Sequence, residues 1–225
     1  MANVLCLDFD DTIVLDNTAR QLFEGFAAPG WKDAEAAYHD GKLSVEQFNA
    51  AALDLVEASR DEMMAYVRQV ARVRPGFLEL LDWVHWNGWL AMVVSNGFDF
   101  YVDEVLDGLG VDRVTRHAGR TRREYRWRVT YYSPRGVEVQ DGFKLSYAAA
   151  LKGAGDFVAY VGDGSSDVEA AKLANVVFAR STLLERLSEI RDRVYPFETF
   201  DDVRRILETE SSGWLAEPGA ADVAR

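Results

Sequence analysis

The sequence of 225 residues holds one cysteine, three histidines, five prolines and only five lysines. A single cysteine excludes a disulfide framework. Its place inside the apolar run VLCL (residues 4–7) makes Cys6 a small core residue of a protein kept in a reducing compartment. His39, His85 and His117 stand far apart without ligand spacing, so none is assigned a role. No apolar stretch approaches the length that spans a bilayer, which excludes a membrane-embedded protein of the helical kind. The opening MANVLCLDFDDT carries neither a basic region nor a cleavage site, and the expectation is a cytoplasmic chain.

Positive charge is also scarce. The net charge of −12 disfavours nucleic acid as a partner. The basic charge present is uneven, with eight arginines between Arg113 and Arg135. A charge run of this kind is read first as a solvated face, with a surface for an anionic substrate or a partner as the alternative.

Four apolar runs share one design: VLCLDF (4–9), LAMVVSN (90–96), FVAYVGD (157–163) and NVVFAR (175–180). They are short, rich in Val, Leu and Phe, and hardly alternate, as suits strands covered on both faces in a parallel sheet. Helical patterns lie between them. PGFLELLDWVHWNG (75–88) has Pro75 near its start and Gly88 past its end, and the tryptophans in it are read as packing aromatics. This alternation predicts an α/β class, a doubly wound, Rossmann-like parallel sheet with its ligand site at the carboxyl ends of the strands. Residues 15–72 break the alternation and read as wholly helical, with Ser44 and Gln47 spaced as a capping box. They predict a helical cap inserted after the first strand. Residues 120–140 alternate and contain Pro134-Arg135-Gly136, which predicts a small β-hairpin. The expected division is a catalytic core of residues 1–14 and 73–210, a cap of 15–72, and a flexible tail of 211–225.

The first three runs end on polar residues: Asp8 and Asp10, then Ser95 and Asn96, then Asp163. Carboxylates brought together at one sheet edge repel unless a cation holds them. Asp8, Asp10, Asp163 and Asp167 offer oxygen donors only, which suits Mg²⁺ rather than zinc. Lys144 starts a helical pattern and could reach the same edge. SNG (95–97) leads into a helix whose free N–H groups suit a phosphate. An aspartate nucleophile, a second carboxylate, Mg²⁺, a hydroxyl and a lysine together point to phosphoryl transfer through an aspartyl-phosphate.

The ordered set DFDDT (8–12), SNG (95–97), Lys144 and GDGSSD (162–167) resembles the four motifs of haloacid dehalogenase (HAD) superfamily phosphatases. The inserted helices resemble the cap of the phosphoserine-phosphatase-like branch. SNGFDFYVDEVL, GDGSSDVEAAKLANVVFAR, STLLERL, FETFDDVRRILE and FEGFAAPGW (23–31) are similar to the methionine-salvage 2-hydroxy-3-keto-5-methylthiopentenyl-1-phosphate phosphatases. The resemblance implies Asp8 as nucleophile and Asp10 as acid and base. It implies Mg²⁺ held by Asp8, the Asp10 carbonyl and Asp163, with Asp167 supporting the metal and Lys144. Ser95, Asn96, Gly97 and Lys144 would bind the substrate phosphate.

Three departures stand out. Asp11 occupies a position where many relatives have glycine, and Asn96 one where the most similar relatives have a second glycine. Asn17 stands where phosphoserine phosphatases carry a glutamate for the substrate ammonium, which argues against phosphoserine. The expected activity is Mg²⁺-dependent hydrolysis of a small phosphorylated metabolite by a monomer or homodimer. A phosphotransferase to a second alcohol and a phospho-accepting regulatory module are the alternatives.

Overall fold

A computed structural model describes residues 1–216 of the chain. Its framework is one eight-stranded sheet ordered β5-β4-β3-β2-β1-β6-β7-β8. The strands are β1 (Asn3–Leu7), β2 (Leu90–Phe98), β3 (Thr115–Arg123), β4 (Trp127–Tyr132), β5 (Glu138–Val139), β6 (Phe157–Gly162), β7 (Val176–Ala179) and β8 (Val194–Pro196). The six from β3 to β8 in that order, by way of β2, β1, β6 and β7, pair in parallel. β4 and β5 add antiparallel pairs at one edge. All four apolar runs of the sequence are central parallel strands, as their lack of alternation requires.

Successive residues of these strands feed two cores. Leu5, Leu7, Val93 and Val161 face the first, and Cys6, Val94 and Tyr160 face the second. The helices α5 (Phe77–Trp86), α6 (Asp99–Gly108) and α10 (Phe200–Ala216) cover the first face. The second is covered by α7 (Phe143–Gly153), α8 (Val168–Leu173) and α9 (Ser181–Leu187). Strand order reverses between β1 and β6, and a crevice at such a switch point is where doubly wound folds place ligands.

Four helices, α1 (Thr18–Phe26), α2 (Trp31–His39), α3 (Val45–Asp54) and α4 (Arg60–Val70), are inserted between β1 and α5. The two connecting segments pair through an antiparallel bridge between Val14 and Val73. Ser44 and Ser59 start α3 and α4 with complete capping boxes, so the capping expectation at Ser44–Gln47 is met. Leu22, Phe23, Leu53, Met63 and Val67 carry these helices into the first core beside Phe98.

The sequence differs from the structure in three places. The antiparallel part is not one hairpin but two: residues 124–126 connect β3 to β4, and Pro134–Gly136 lies between β4 and β5. Residues 211–216, expected to belong to a flexible tail, are helical. Helix α10 runs to Ala216 because buried Trp214 packs on Phe157 and Tyr195, with ring centroids 6.4 and 5.7 Å away. The rest of that expected tail, 217–225, lies outside the described residues. Trp86, read as a packing aromatic, is 81% exposed, whereas Trp89, just past the helix, is buried. Among the described residues no helix is long and apolar enough to cross a membrane.

Candidate active site

β1 delivers its chain to the sheet edge at Asp8, whose N–H donates to the Val161 carbonyl of β6 (2.9 Å). The carboxylate that follows is 5% exposed and meets Lys144, from the first turn of α7, with Nζ 2.7 Å from Oδ1. Lys144 Nζ lies equally close, 2.7 Å, to Asp167 Oδ1, which also accepts from the Tyr160 hydroxyl (2.7 Å). Asp167 Oδ2 accepts the N–H groups of Asp163 and Gly164 at 3.2 and 2.9 Å. Both Asp167 oxygens are thus committed. Gly162 makes this possible, since a Cβ there would lie 2.8 Å from Asp167 Cγ.

Electrostatics follow from this packing. Burial, then repulsion from Asp167, pushes Asp8 well above the usual carboxylate range, against the pull of Lys144. Burial, with Asp167 and Asp11 adding to it, pushes Asp163 up to about 7. Burial alone would lower Lys144, but Asp167 and Asp8 outweigh it and hold the ammonium above the ordinary lysine range. One cation therefore serves three carboxylates, and the cluster remains short of positive charge.

Oxygens of Asp8, Asp163 and Asp167 lie within 4.8 Å of one another. With Asp167 saturated by donors, a cation here would be shared between a carboxylate oxygen of Asp8 and Asp163, which keeps one oxygen free of its Thr12 Oγ1 hydrogen bond (3.2 Å). A hard, oxygen-only donor set with a charge deficit fits Mg²⁺.

Asp10 is buried one turn further on. Its Oδ1 accepts the Thr18 N–H at the start of α1 (2.8 Å), and its Oδ2 accepts the Tyr101 hydroxyl of α6 (2.5 Å). Burial pushes Asp10 up to about 6, with these two donors pulling against it. A carboxyl poised there can give and take a proton near neutrality. The turn between Asp10 and Thr12 brings Asp11 to φ +58°, the left-handed region. Glycine enters that region freely and aspartate is among the few side chains that tolerate it. Buried Arg74 fixes the turn by donating to the Asp11 and Thr12 carbonyls at 2.7 and 2.8 Å.

The third wall is a bulge in β2. Val94 pairs with His117 and Phe98 with Gly119, so Ser95, Asn96 and Gly97 stand opposite Ala118 alone and leave the sheet plane. Gly97 N–H donates to Ser95 Oγ (2.9 Å), which leaves the Ser95 hydroxyl proton to point elsewhere. A Cβ on Gly97 would overlap the Tyr101 hydroxyl and lie 2.7 Å from Asp10 Oδ2, so only glycine admits the Tyr101–Asp10 bond.

Asp8, Asp10, Ser95, Asn96, Gly97, Lys144 and Asp163 all line one cavity of about 200 Å³, and Asp167 supports it from behind. The inserted helices roof it: Tyr38 of α2 reaches the Ser165 hydroxyl at 3.0 Å. Phe23, Val45 and Phe48 supply apolar lining, and Arg20, beside Glu35 (3.1 Å) and Glu24 (3.1 Å), supplies a compensated charge. Asp16 lies apart, paired with Arg72.

Tyr101, Thr18, Glu46, Asn49 and Tyr131 were not legible as site residues. Glu46 and Asn49 of α3 bond to Asn96, and the signal they carried was a polar i, i+3 pair in a helix otherwise patterned for a core.

The arginine cluster is mostly exposed, as a solvated face, and part of it is paired. Arg126 and Arg128 both meet Asp54 at the end of α3 (3.1 and 3.0 Å), and Arg123 donates to the Glu57 and Ala58 carbonyls. Arg116 pairs with Asp103 and Asp107. Through Arg123, Arg126 and Arg128 this solvated face also contacts the inserted helical segment.

Comparison with known proteins agrees with this geometry. The model of the haloacid dehalogenase-like hydrolase family matches residues 5–172. The chain is 34% identical over 227 residues to the bifunctional enzyme MtnB/MtnX of Bacillus licheniformis, covering 98% of this chain and 53% of that protein. It therefore spans about half the length of that relative. It is 28% identical to the 2-hydroxy-3-keto-5-methylthiopentenyl-1-phosphate phosphatase of Bacillus velezensis, covering 96% of this chain and 95% of the relative. A phosphoserine phosphatase solved as a phospho-aspartyl intermediate analogue shares the fold, with TM-score 0.67, 22% identity, and 92% and 98% of the two chains covered.

Proposed function

This chain belongs to the haloacid dehalogenase-like hydrolase family, and from that premise we propose that it is a Mg²⁺-dependent phosphatase working through an aspartyl-phosphate on Asp8. The observation that carries the proposal is one cavity on which Asp8, Asp10, Lys144 and the Ser95–Gly97 bulge converge.

In this reading Asp8 attacks phosphorus with the oxygen not held by Lys144. Lys144 keeps the other oxygen oriented and offsets charge on the phosphoryl group. Asp10 protonates the departing alcohol and then takes a proton from the water that releases phosphate. The environment that raises Asp10 to about 6 suits both halves of that cycle. Ser95 donates its hydroxyl to a phosphate oxygen, because the Gly97 N–H already occupies the lone-pair side of Oγ. Asp8, Asp163 and the Asp10 carbonyl would hold Mg²⁺, which would supply charge stabilisation for the phosphoryl oxygens. The inserted helices act as a cap that limits water access.

The substrate is a small phosphorylated metabolite. A cavity of about 200 Å³ has room for a phosphate and a short organic group. We assign that group to a sugar phosphate of the methionine-salvage type, on the strength of the relatives' names and of a wall that combines Phe23, Phe48 and Val45 with a charge-compensated Arg20. Asn17 is occupied by its own contacts, accepting from the Arg20 N–H and donating to Asp11, and offers no anion for a substrate ammonium.

The test is a panel of phosphate monoesters, including the salvage intermediate, phosphoserine and phosphocholine, assayed with and without Mg²⁺. The proposal expects release of inorganic phosphate, loss of activity with chelator, recovery with Mg²⁺, and preference for the salvage intermediate. Activity indifferent to chelator contradicts the metal assignment. Transfer of phosphate to an added alcohol in place of water contradicts hydrolysis.

A further inference from the structure

The inserted helices hydrogen-bond to the phosphate loop at Asn96, through two α3 side chains, Glu46 and Asn49, to which the catalytic scheme gives no part. Asn96 Nδ2 donates to Glu46 Oε1 (3.0 Å), and the same oxygen accepts the Phe143 N–H at the start of α7 (2.9 Å). The Asn96 carbonyl accepts from Asn49 Nδ2 (2.7 Å) and from the Tyr131 hydroxyl (2.5 Å), and Asn49 also donates to Tyr131 (3.1 Å). Glu46 is 3% exposed, and its Oε2 is buried without a hydrogen bond among the described residues. Among the described residues Glu46 forms no ion pair with a lysine or arginine. Its charge is committed to the Asn96 amide and to the N-terminus of α7, where a carboxylate is favoured.

These contacts have a geometric consequence. The peptide between Asn96 and Gly97 is pinned at both ends, its carbonyl by Asn49 and Tyr131 and its N–H by Ser95 Oγ. Glu46 ties that loop to the helix turn that carries Lys144. Four elements therefore meet at Asn96: α3, the β2 bulge, β4 and, through Glu46, α7.

We propose that Glu46 and Asn49 are positioning residues that set the phosphate loop and Lys144 in register, so that seating of α3 completes the phosphate site. Glu46 and Asn49 lie one turn apart on the same face of α3, so displacement of the helix removes both contacts together. The inference rests on the reading of Ser95–Gly97 and Lys144 as the phosphate-binding groups.

The test measures kcat, KM and the inhibition constant of inorganic phosphate for Glu46→Ala, Glu46→Gln, Asn96→Gly and the Glu46→Ala/Asn96→Gly double variant, with melting curves as the folding control. Glu46→Ala should weaken phosphate inhibition on the order of tenfold and lower kcat/KM in step. Glu46→Gln, which keeps an oxygen acceptor, should recover most of that loss. Glu46→Ala should cost much less in the Asn96→Gly background. If Glu46→Ala does not fold, Asn96→Gly and Glu46→Gln probe the same contact from its two sides. Equal losses in both backgrounds, or a folded Glu46→Gln no better than Glu46→Ala, overturn the inference while Asp8-dependent turnover still stands. Full turnover in Asp8→Asn overturns the underlying reading as well.

Discussion

The Tyr101 hydroxyl donates to Asp10 Oδ2 at 2.5 Å, joining residues 91 positions apart in a space that Gly97 keeps open. Tyr101 is buried among Phe9, Phe98 and Phe100, with ring centroids 5.6 to 5.8 Å away, so phenylalanine can take its place in the packing. Tyr101→Phe removes the donor that fixes Asp10. We predict a fall in kcat of about tenfold with little change in KM, because the hydrogen bond that is lost is made to Asp10, the acid and base of the proposed scheme. Steady-state kinetics on an aryl phosphate checks this, and an effect confined to KM contradicts it.

His117 of β3 lies against Tyr147, ring centroids 4.3 Å apart, and burial with help from Arg120 holds its pKa below the ordinary value of 6.5. A folded pKa below the unfolded one means that the unfolded chain takes up the proton first. The neutral ring's contribution is present above pH 6.5 and is lost as pH falls through that window. His117→Gln should therefore show a shallower drop in melting temperature between pH 7.5 and 5 than the wild type. Parallel drops would contradict the assignment.

The β4 strand holds the cap by two unequal means. The Arg126 and Arg128 pairs with Asp54 are surface pairs, and Asp54→Asn should cost no more than about 1 kcal/mol. Trp127 is buried beneath Arg123 and donates its indole N–H to the Ala58 carbonyl (2.9 Å). Trp127→Ala should cost about 3–5 kcal/mol. Chemical denaturation of both variants measures the difference, and comparable losses would reverse the ranking.

Asp11 sits at φ +58°. Both Asp11→Gly and Asp11→Ala lose the Asn17 bond, but only Asp11→Gly also removes the left-handed penalty. Asp11→Gly should be more stable than Asp11→Ala by about 1 kcal/mol, read from denaturation midpoints. The reverse order would mean that the backbone angle at this position carries no penalty that glycine relieves.

What the sequence showed and what it hid follow from the range of the interactions. Asp8 and Asp163 were legible because an apolar run covered on both faces and then broken by a carboxylate is a local signal, and both close the strands beside the switch point. Lys144 and Ser95 were legible through motif order. Tyr101, Asn49 and Tyr131 were not, because the contacts that bring them to Asp10 and Asn96 span 35 to 91 positions and depend on how α3, α6 and β4 pack. The aspartate at position 11, unexplained by motif logic, became intelligible only with its backbone angle. The alternation of residues 120–140 gave strands but not their pairing, and the arginines there are exposed as a solvated run should be, while the acidic and carbonyl partners of Arg123, Arg126 and Arg128 on α3 and the loop after it were beyond local reach.

The central claim is that Asp8 carries the phosphoryl group. The direct measurement is acid quench of the enzyme during turnover of a radiolabelled phosphate monoester. The account predicts protein-bound, hydroxylamine-labile label in the wild type. It predicts no label, and turnover lowered by roughly 10⁴-fold, in a folded Asp8→Asn variant. Label retained on Asp8→Asn, or turnover at the wild-type rate, would contradict it.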